Sequence, residues 1–112
     1  MIAIVSGASR GIGRAVAIRL ARDYQAKLML LYRSRAEDAE VTRAACIEAG
    51  GEAEIQQTDV SDAEQAKAAV DACIERFGGV SVLVNNAGTT QDTLVLQMSD
   101  EQWHSVLRCN LD

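Results

Sequence analysis

Apolar and polar positions change period in a regular alternation along the chain. Ile2 to Ser6 is a short apolar run ended by Gly7, the pattern of a buried strand. Gly11 to Asp23 places Ile12, Val16, Ile18 and Leu20 at roughly helical spacing, with Arg14, Arg19 and Arg22 largely on other faces. Lys27 to Tyr32 reads as a second buried strand. Ser34 to Ala49 is charged and Ala-rich and predicts a helix whose apolar face is Val41, Ala44, Ala45 and Ile47, stopped by Gly50-Gly51. Glu52 to Thr58 alternates as a third strand. Ser61-Asp62-Ala63-Glu64 has capping-box spacing and opens a helix that runs to Phe77 and stops at Gly78-Gly79. Ser81 to Val84 is a fourth strand, broken by Asn85-Asn86-Ala87-Gly88. A second capping box, Ser99 to Gln102, opens a helix still running at Asp112.

Strands alternating with helices of this length imply right-handed crossovers and a parallel sheet. The expected fold class is α/β, a doubly wound sheet with strands in the order 3-2-1-4. With nothing after it in the sheet, the fourth strand is expected to leave Val82-Leu83-Val84 as an open edge.

Composition narrows the function. The chain has 112 residues, one domain or less, with 48% hydrophobic and 24% charged residues, which argues against disorder. Its net charge of −5 argues against a nucleic-acid partner. The apolar start, Met1 to Val5, is too short for a membrane span or a signal peptide. Cys46, Cys73 and Cys109 have neither disulfide nor zinc spacing and read as reduced, half-buried thiols.

Candidate chemistry clusters where strands end. Gly7-Ala8-Ser9-Arg10-Gly11-Ile12-Gly13 joins the first strand to the first helix. Gly7 permits the turn, while Gly11 and Gly13 let backbone amides and a helix start approach a pyrophosphate. The spacing is not that of a nucleotide-hydrolysing P-loop. Sites that prefer NAD carry an acidic residue about 20 positions on; this chain has Tyr32-Arg33-Ser34 instead. Arg33, bracketed by Arg10, suits a 2′-phosphate, unless both are solvated surface charges. Asp59-Val60 follows the third strand, where a carboxylate faces an adenine amino group or simply makes a turn. Asn85 and Asn86 can lock neighbouring loops, and Gly88 leaves room for a ribose.

SGASRGIG at Ser6 to Gly13, Asp59-Val60 and NNAG at Asn85 to Gly88 together resemble the N-terminal motifs of the short-chain dehydrogenase/reductase family, over the whole chain. The stretch Val82 to Asp112 most resembles the family's 3-oxoacyl-[acyl-carrier-protein] reductases. The resemblance implies a Rossmann-type fold, of which residues 1–112 are the N-terminal part. It implies that Gly7, Ser9, Arg10, Gly11, Ile12 and Gly13 bind the cofactor diphosphate. Arg33 would bind the 2′-phosphate of NADPH/NADP+, Asp59 and Val60 the adenine, and Asn86, Ala87 and Gly88 the adjoining ribose. Asn110 falls where the family has a catalytic asparagine that orders a water in the proton relay.

The implied activity of the full-length protein is NADPH-dependent reduction of acyl-carrier-protein- or CoA-linked 3-oxoacyl thioesters, in fatty acid synthesis, by a homotetramer. The implied location is cytoplasmic, or a plastid or mitochondrial matrix if a longer precursor exists. Another carbonyl or alcohol substrate (sugar, polyol or steroid), a non-catalytic nucleotide-binding module and a non-functional fragment are the alternatives. Three positions depart from the family pattern: Ser6 for Thr, Ser81 for Asp, and Asp23-Tyr24-Gln25, which lacks the usual left-handed glycine after the first helix. The family's catalytic Ser and Tyr-x-x-x-Lys are not among the 112 residues, because neither Tyr24 nor Tyr32 is followed by Lys four positions on. The chain alone is therefore expected to be inactive. Trp103 is expected in the core and His104 on the surface. Met98 and Leu94-Val95-Leu96 are expected at an acyl entrance, in the core or at a subunit contact.

Overall fold

The computed structural model describes residues 1–86 and, as backbone, 94–97. In chain order the elements are β1 (Ile2–Val5), α1 (Gly11–Tyr24), β2 (Lys27–Tyr32), α2 (Ala36–Glu48), β3 (Glu52–Gln57), α3 (Ala63–Phe77), β4 (Val82–Asn85) and β5 (Leu94–Gln97). They form one sheet in the order β3-β2-β1-β4-β5. β1 pairs in parallel with β2 and β4, and β2 in parallel with β3. The expected 3-2-1-4 order is therefore present.

The expected open edge at Val82-Leu83-Val84 is not. β5 returns antiparallel along β4, with Leu94 opposite Asn85 and Gln97 opposite Val82. A free edge leaves a row of backbone N–H and C=O groups without partners, and the returning strand supplies them. The expected helix from Ser99, together with Met98, Trp103, His104 and Cys109, lies outside the described residues.

Successive strand residues face opposite layers, as the period of two requires. Ala3, Val5, Leu28 and Leu30 pack beneath α1 and α2 with Ala17, Ala21 and Cys46. Ile4, Met29 and Leu31 pack against α3 through Ala69, Val70, Cys73 and Phe77. Helices thus cover both faces, and β1 and β2 are apolar on both sides.

Two helix faces differ from expectation. α1 buries Gly13, Ala17 and Ala21, while Ile12 is 51% exposed. α2 buries Ala39, Thr42 and Cys46, leaving Val41 and Ile47 outside at 54% and 45% exposure. In both, the buried positions carry small residues, against the sheet at Ala17, Ala21 and Cys46 and against the glycine loop or α1 at Gly13 and Thr42. Larger apolar groups at the interface would hold the helix axis farther from the strands, so contact distance decides the face rather than hydrophobicity alone. Cys46 and Cys73 are fully buried rather than half-buried, and burial pushes their thiols up to about 11 and about 12.

Helix ends also carry corrections. Asp62, not Ser61, caps α3: its carboxylate accepts from the N–H groups of Glu64 (3.0 Å) and Gln65 (3.3 Å). α1 does end on a left-handed residue, and it is Gln25, at φ 53° and ψ 41°. The Ala26 N–H closes on the Leu20 carbonyl just beyond it. Ser81, standing for the family's Asp, both accepts from the Ile2 N–H and donates to the Ile2 carbonyl, each at 2.9 Å, and so ties β4 to the start of β1.

Candidate functional site

β2 and β3 lie on one side of β1 and β4 on the other. The chain reverses its winding there, and the carboxyl ends of the strands open onto a shared crevice, the place where this sheet type binds ligands. A cleft of about 460 Å3 occupies that position, within the usual range for small-molecule sites. Each parallel strand feeds it: Gly7, Ser9, Arg10, Gly11 and Ile12 after β1, Leu31 to Arg35 at the end of β2, Thr58 to Ser61 after β3, and Asn86 after β4. Of the residues expected in the site, Gly7, Ser9, Arg10, Gly11, Ile12, Arg33, Asp59, Val60 and Asn86 line this one cleft. Gly13 sits behind the loop instead. Ala87, Gly88 and Asn110 lie outside the described residues.

The glycines of the loop have separable tasks. Gly7 and Gly11 adopt φ of 61° and 64°, a backbone region that disfavours side chains. Gly13 has ordinary helical backbone, but a Cβ there would stand 2.0 Å from the Gly7 carbonyl oxygen and 3.0 Å from Asn86 Nδ2. Its hydrogen is what allows α1, the loop and the end of β4 to meet. Ser6, which is buried, completes the junction: its hydroxyl accepts from the Asn86 N–H (2.9 Å) and donates to Asn85 Oδ1 (3.0 Å). A serine performs this lock with the same hydroxyl a threonine would offer.

Electrostatics favour an anion in the cleft. α2 and α3 carry acidic residues in their first turns, and Asp62 caps α3. α1 has no acidic residue there, and its N-cap residue, Arg10, makes no side-chain capping bond. The first-turn N–H groups of α1 and the positive end of its dipole face the cleft without a carboxylate of their own. Arg10, Arg33 and Arg35 rim the same space. The Arg33 side chain is 81% exposed, with Nη2 3.9 Å from Asp59 Oδ2.

Asp59 is held by Ser61, in the turn before α3, and by Gln65 of α3. The Ser61 hydroxyl (2.6 Å) and N–H (3.0 Å) both donate to Asp59 Oδ1, and Gln65 Oε1 accepts the Asp59 N–H at 2.8 Å. The Ser61 hydroxyl, then the Ser61 amide, and to a lesser degree the Arg33 charge hold this carboxyl below the usual range. Reading the sequence passed over Arg35 and Ser61 as members of the site. Arg35 had a visible signal, a second arginine two positions after Arg33. Ser61 had none, because its spacing suggested a helix cap. Among the described residues no cluster of His, Cys, Asp and Glu suits a metal ion, and no helix is long and apolar enough to cross a membrane.

A parallel sheet wound in both directions, with a glycine loop at the crevice of its switch point, defines the doubly wound α/β class. More narrowly, the chain belongs to the short-chain dehydrogenase family, whose model matches residues 1–112. It is 40% identical over 110 residues to a 3-oxoacyl-[acyl-carrier-protein] reductase of Synechocystis sp., covering 98% of this chain and 44% of that protein. A short-chain dehydrogenase of Burkholderia cenocepacia in complex with NADP superposes with a TM-score of 0.73 at 44% identity, over 77% of this chain and 35% of that one. An NADH-dependent reductase, A1-R', complexed with NAD, superposes with a TM-score of 0.71 at 36% identity, over 78% and 36%. The chain thus spans less than half the length of these relatives.

Proposed function

We propose that the protein is an NADPH-dependent reductase of 3-oxoacyl thioesters, and that these residues form the adenosine-diphosphate half of its cofactor site. The observation that carries this reading is the convergence of four strand ends on one cleft that has arginines, and no carboxylate, at the end of β2. The family relation to a 3-oxoacyl-[acyl-carrier-protein] reductase supports the substrate class. The cleft residues fit the cofactor chemically: an N-terminus without an acidic cap suits a diphosphate, and guanidinium groups suit a 2′-phosphate.

Bound NADPH supplies a hydride for a ketone carbon. The roles in this chain, Asn110 apart, are binding and orientation. The α1 N-terminus with Gly7, Ser9, Arg10, Gly11 and Ile12 holds the diphosphate, and Gly13, behind the loop, permits the close packing that presents it. Arg33 and Arg10 hold the 2′-phosphate. Asp59, fixed by Ser61, takes the adenine amino group with Val60 against the ring, and Asn86, Ala87 and Gly88 flank the ribose. Asn110 is assigned to the proton relay. The 112 residues alone, having no Tyr-x-x-x-Lys, are inactive in this reading.

The test uses the complete protein. NADPH consumption with a 3-oxoacyl thioester should exceed that with sugar, polyol-derived or steroid ketones, and Arg33→Asp should weaken NADPH selectively by about 1.5–3 kcal/mol, the worth of a charge-assisted contact. Equal binding of NADPH and NADH before and after the substitution would refute the cofactor assignment. Preference for a non-thioester ketone would refute the substrate.

A further inference from the structure

Arg14 is not among the cleft residues, yet its guanidinium joins two walls of the cleft, the glycine loop after β1 and the Arg33 to Arg35 turn, the latter through the start of α2. Nη2 donates to the Ser9 carbonyl in the glycine loop and to the Asp38 carbonyl in α2 (3.0 Å). Nε donates to Thr42 Oγ1 at 2.9 Å. Thr42 is fully buried, and its hydroxyl in turn reaches the Asp38 (3.2 Å) or the Ser9 (3.4 Å) carbonyl. Arg14, Ser9, Asp38 and Thr42 therefore form one closed network between the loop after β1 and the start of α2. The Asp38 carboxylate extends it to Arg35, at 3.7 Å, on the far wall of the cleft.

Helix electrostatics do not explain a cation at this place. Arg14 lies near the N-terminal ends of both α1 and α2, where the dipoles disfavour positive charge. What the network does determine is a peptide orientation. The Ser9 carbonyl and the Arg10 N–H belong to one trans peptide and point opposite ways. Drawing the carbonyl onto Arg14 turns the Arg10 N–H away from it.

We propose that Arg14 is a positioning residue that couples the two walls of the cleft, fixing the Ser9–Arg10 peptide of the diphosphate loop to the start of α2, which follows Arg35. The inference rests on the cofactor reading above. Without the clamp, a ligand that spans both walls must order them itself, and its affinity falls. A ligand held only on the adenine side does not bear that cost.

The experiment compares NADP+, which spans the walls, with adenosine, in the complete protein. Arg14→Met should raise the NADP+ dissociation constant about tenfold, because the ligand must then order both walls itself, and shift that of adenosine by less than about twofold. Thr42→Val should weaken NADP+ in the same sense, and Thr42→Ser, which keeps the hydroxyl, should restore it. Equal weakening of both ligands, or unchanged NADP+ binding by a folded Arg14→Met protein, overturns the coupling. If Arg14→Met does not fold, the Thr42→Val and Thr42→Ser pair decides. Wild-type protein that binds no NADP+ overturns the cofactor reading, and this proposal with it.

Discussion

Replacing Gly13 by alanine puts a methyl carbon 2.0 Å from the Gly7 carbonyl oxygen and 2.7 Å from its carbon. Ordinary contact begins near 3.4 Å, so loop and helix must separate by about 1.4 Å. The obstacle is backbone, pinned on one side by β1 and on the other by α1, and no rotamer change relieves it. Overpacking of this kind costs roughly 1–3 kcal/mol, and a backbone clash belongs at the upper end. Alanine recovers about 1 kcal/mol of helix propensity over glycine. The expected net loss is about 2 kcal/mol, read as a lower urea midpoint at unchanged slope.

The same displacement spoils the anion site. NADP+ affinity, measured by titration calorimetry on the folded variant, should fall by about tenfold or more, since donors moved by over an ångström lose their hydrogen bonds. Gly51→Ala is the control. Its Cβ would meet the Ala26 carbonyl oxygen at 2.6 Å and the Ala21 Cβ at 2.9 Å, but Gly51 is not a cleft residue. It should destabilise comparably and leave NADP+ affinity alone. A Gly13→Ala protein with wild-type stability and wild-type affinity would refute the close-approach argument. Equal loss of affinity in both variants would show that destabilisation, not site geometry, is being read.

Gln25→Gly should stabilise the protein by about 1 kcal/mol in urea unfolding, because it removes a side chain from the left-handed end of α1; a loss of stability would refute that account. Asp59, held below the usual carboxylate range, contributes stability that is fully present above about pH 4 and fades as pH falls through its lowered midpoint. Ser61→Ala should move that midpoint up in a carboxyl NMR titration, and no movement would remove the hydroxyl as the cause. Cys46 and Cys73, raised to about 11 and about 12, should resist alkylation at pH 8 until the chain unfolds. Their raised values also mean that stability declines as pH climbs through the range above about 9, where unfolded thiols ionise. Rapid labelling of Cys46 or Cys73 in the native protein at pH 8, assigned by peptide mapping, would contradict the burial.

Period and punctuation made much of this protein legible in its sequence. Runs such as Leu28 to Leu31 read as buried on both faces, helical stretches separate them, and glycines mark the stops at Gly50 and Gly78. Backbone rules are local, so the βαβ order, the sheet order and the strand-end position of the candidate cleft residues followed from residues close together in the chain. Tertiary contacts decided the rest. Val41 and Ile47 read as a core face, but packing against the sheet, α1 and the glycine loop buries Ala39, Thr42 and Cys46 instead. Ser61 reads as a helix cap equally well from spacing, and only the positions of Asp59 and α3 show that Asp62 caps while Ser61 fixes a carboxylate. Arg14 looks like one more surface arginine because its acceptors, on Ser9, Asp38 and Thr42, lie up to 28 residues away. The strand that covers β4 obeys no local rule, because its stabilisation comes from an edge that exists only once the sheet has formed.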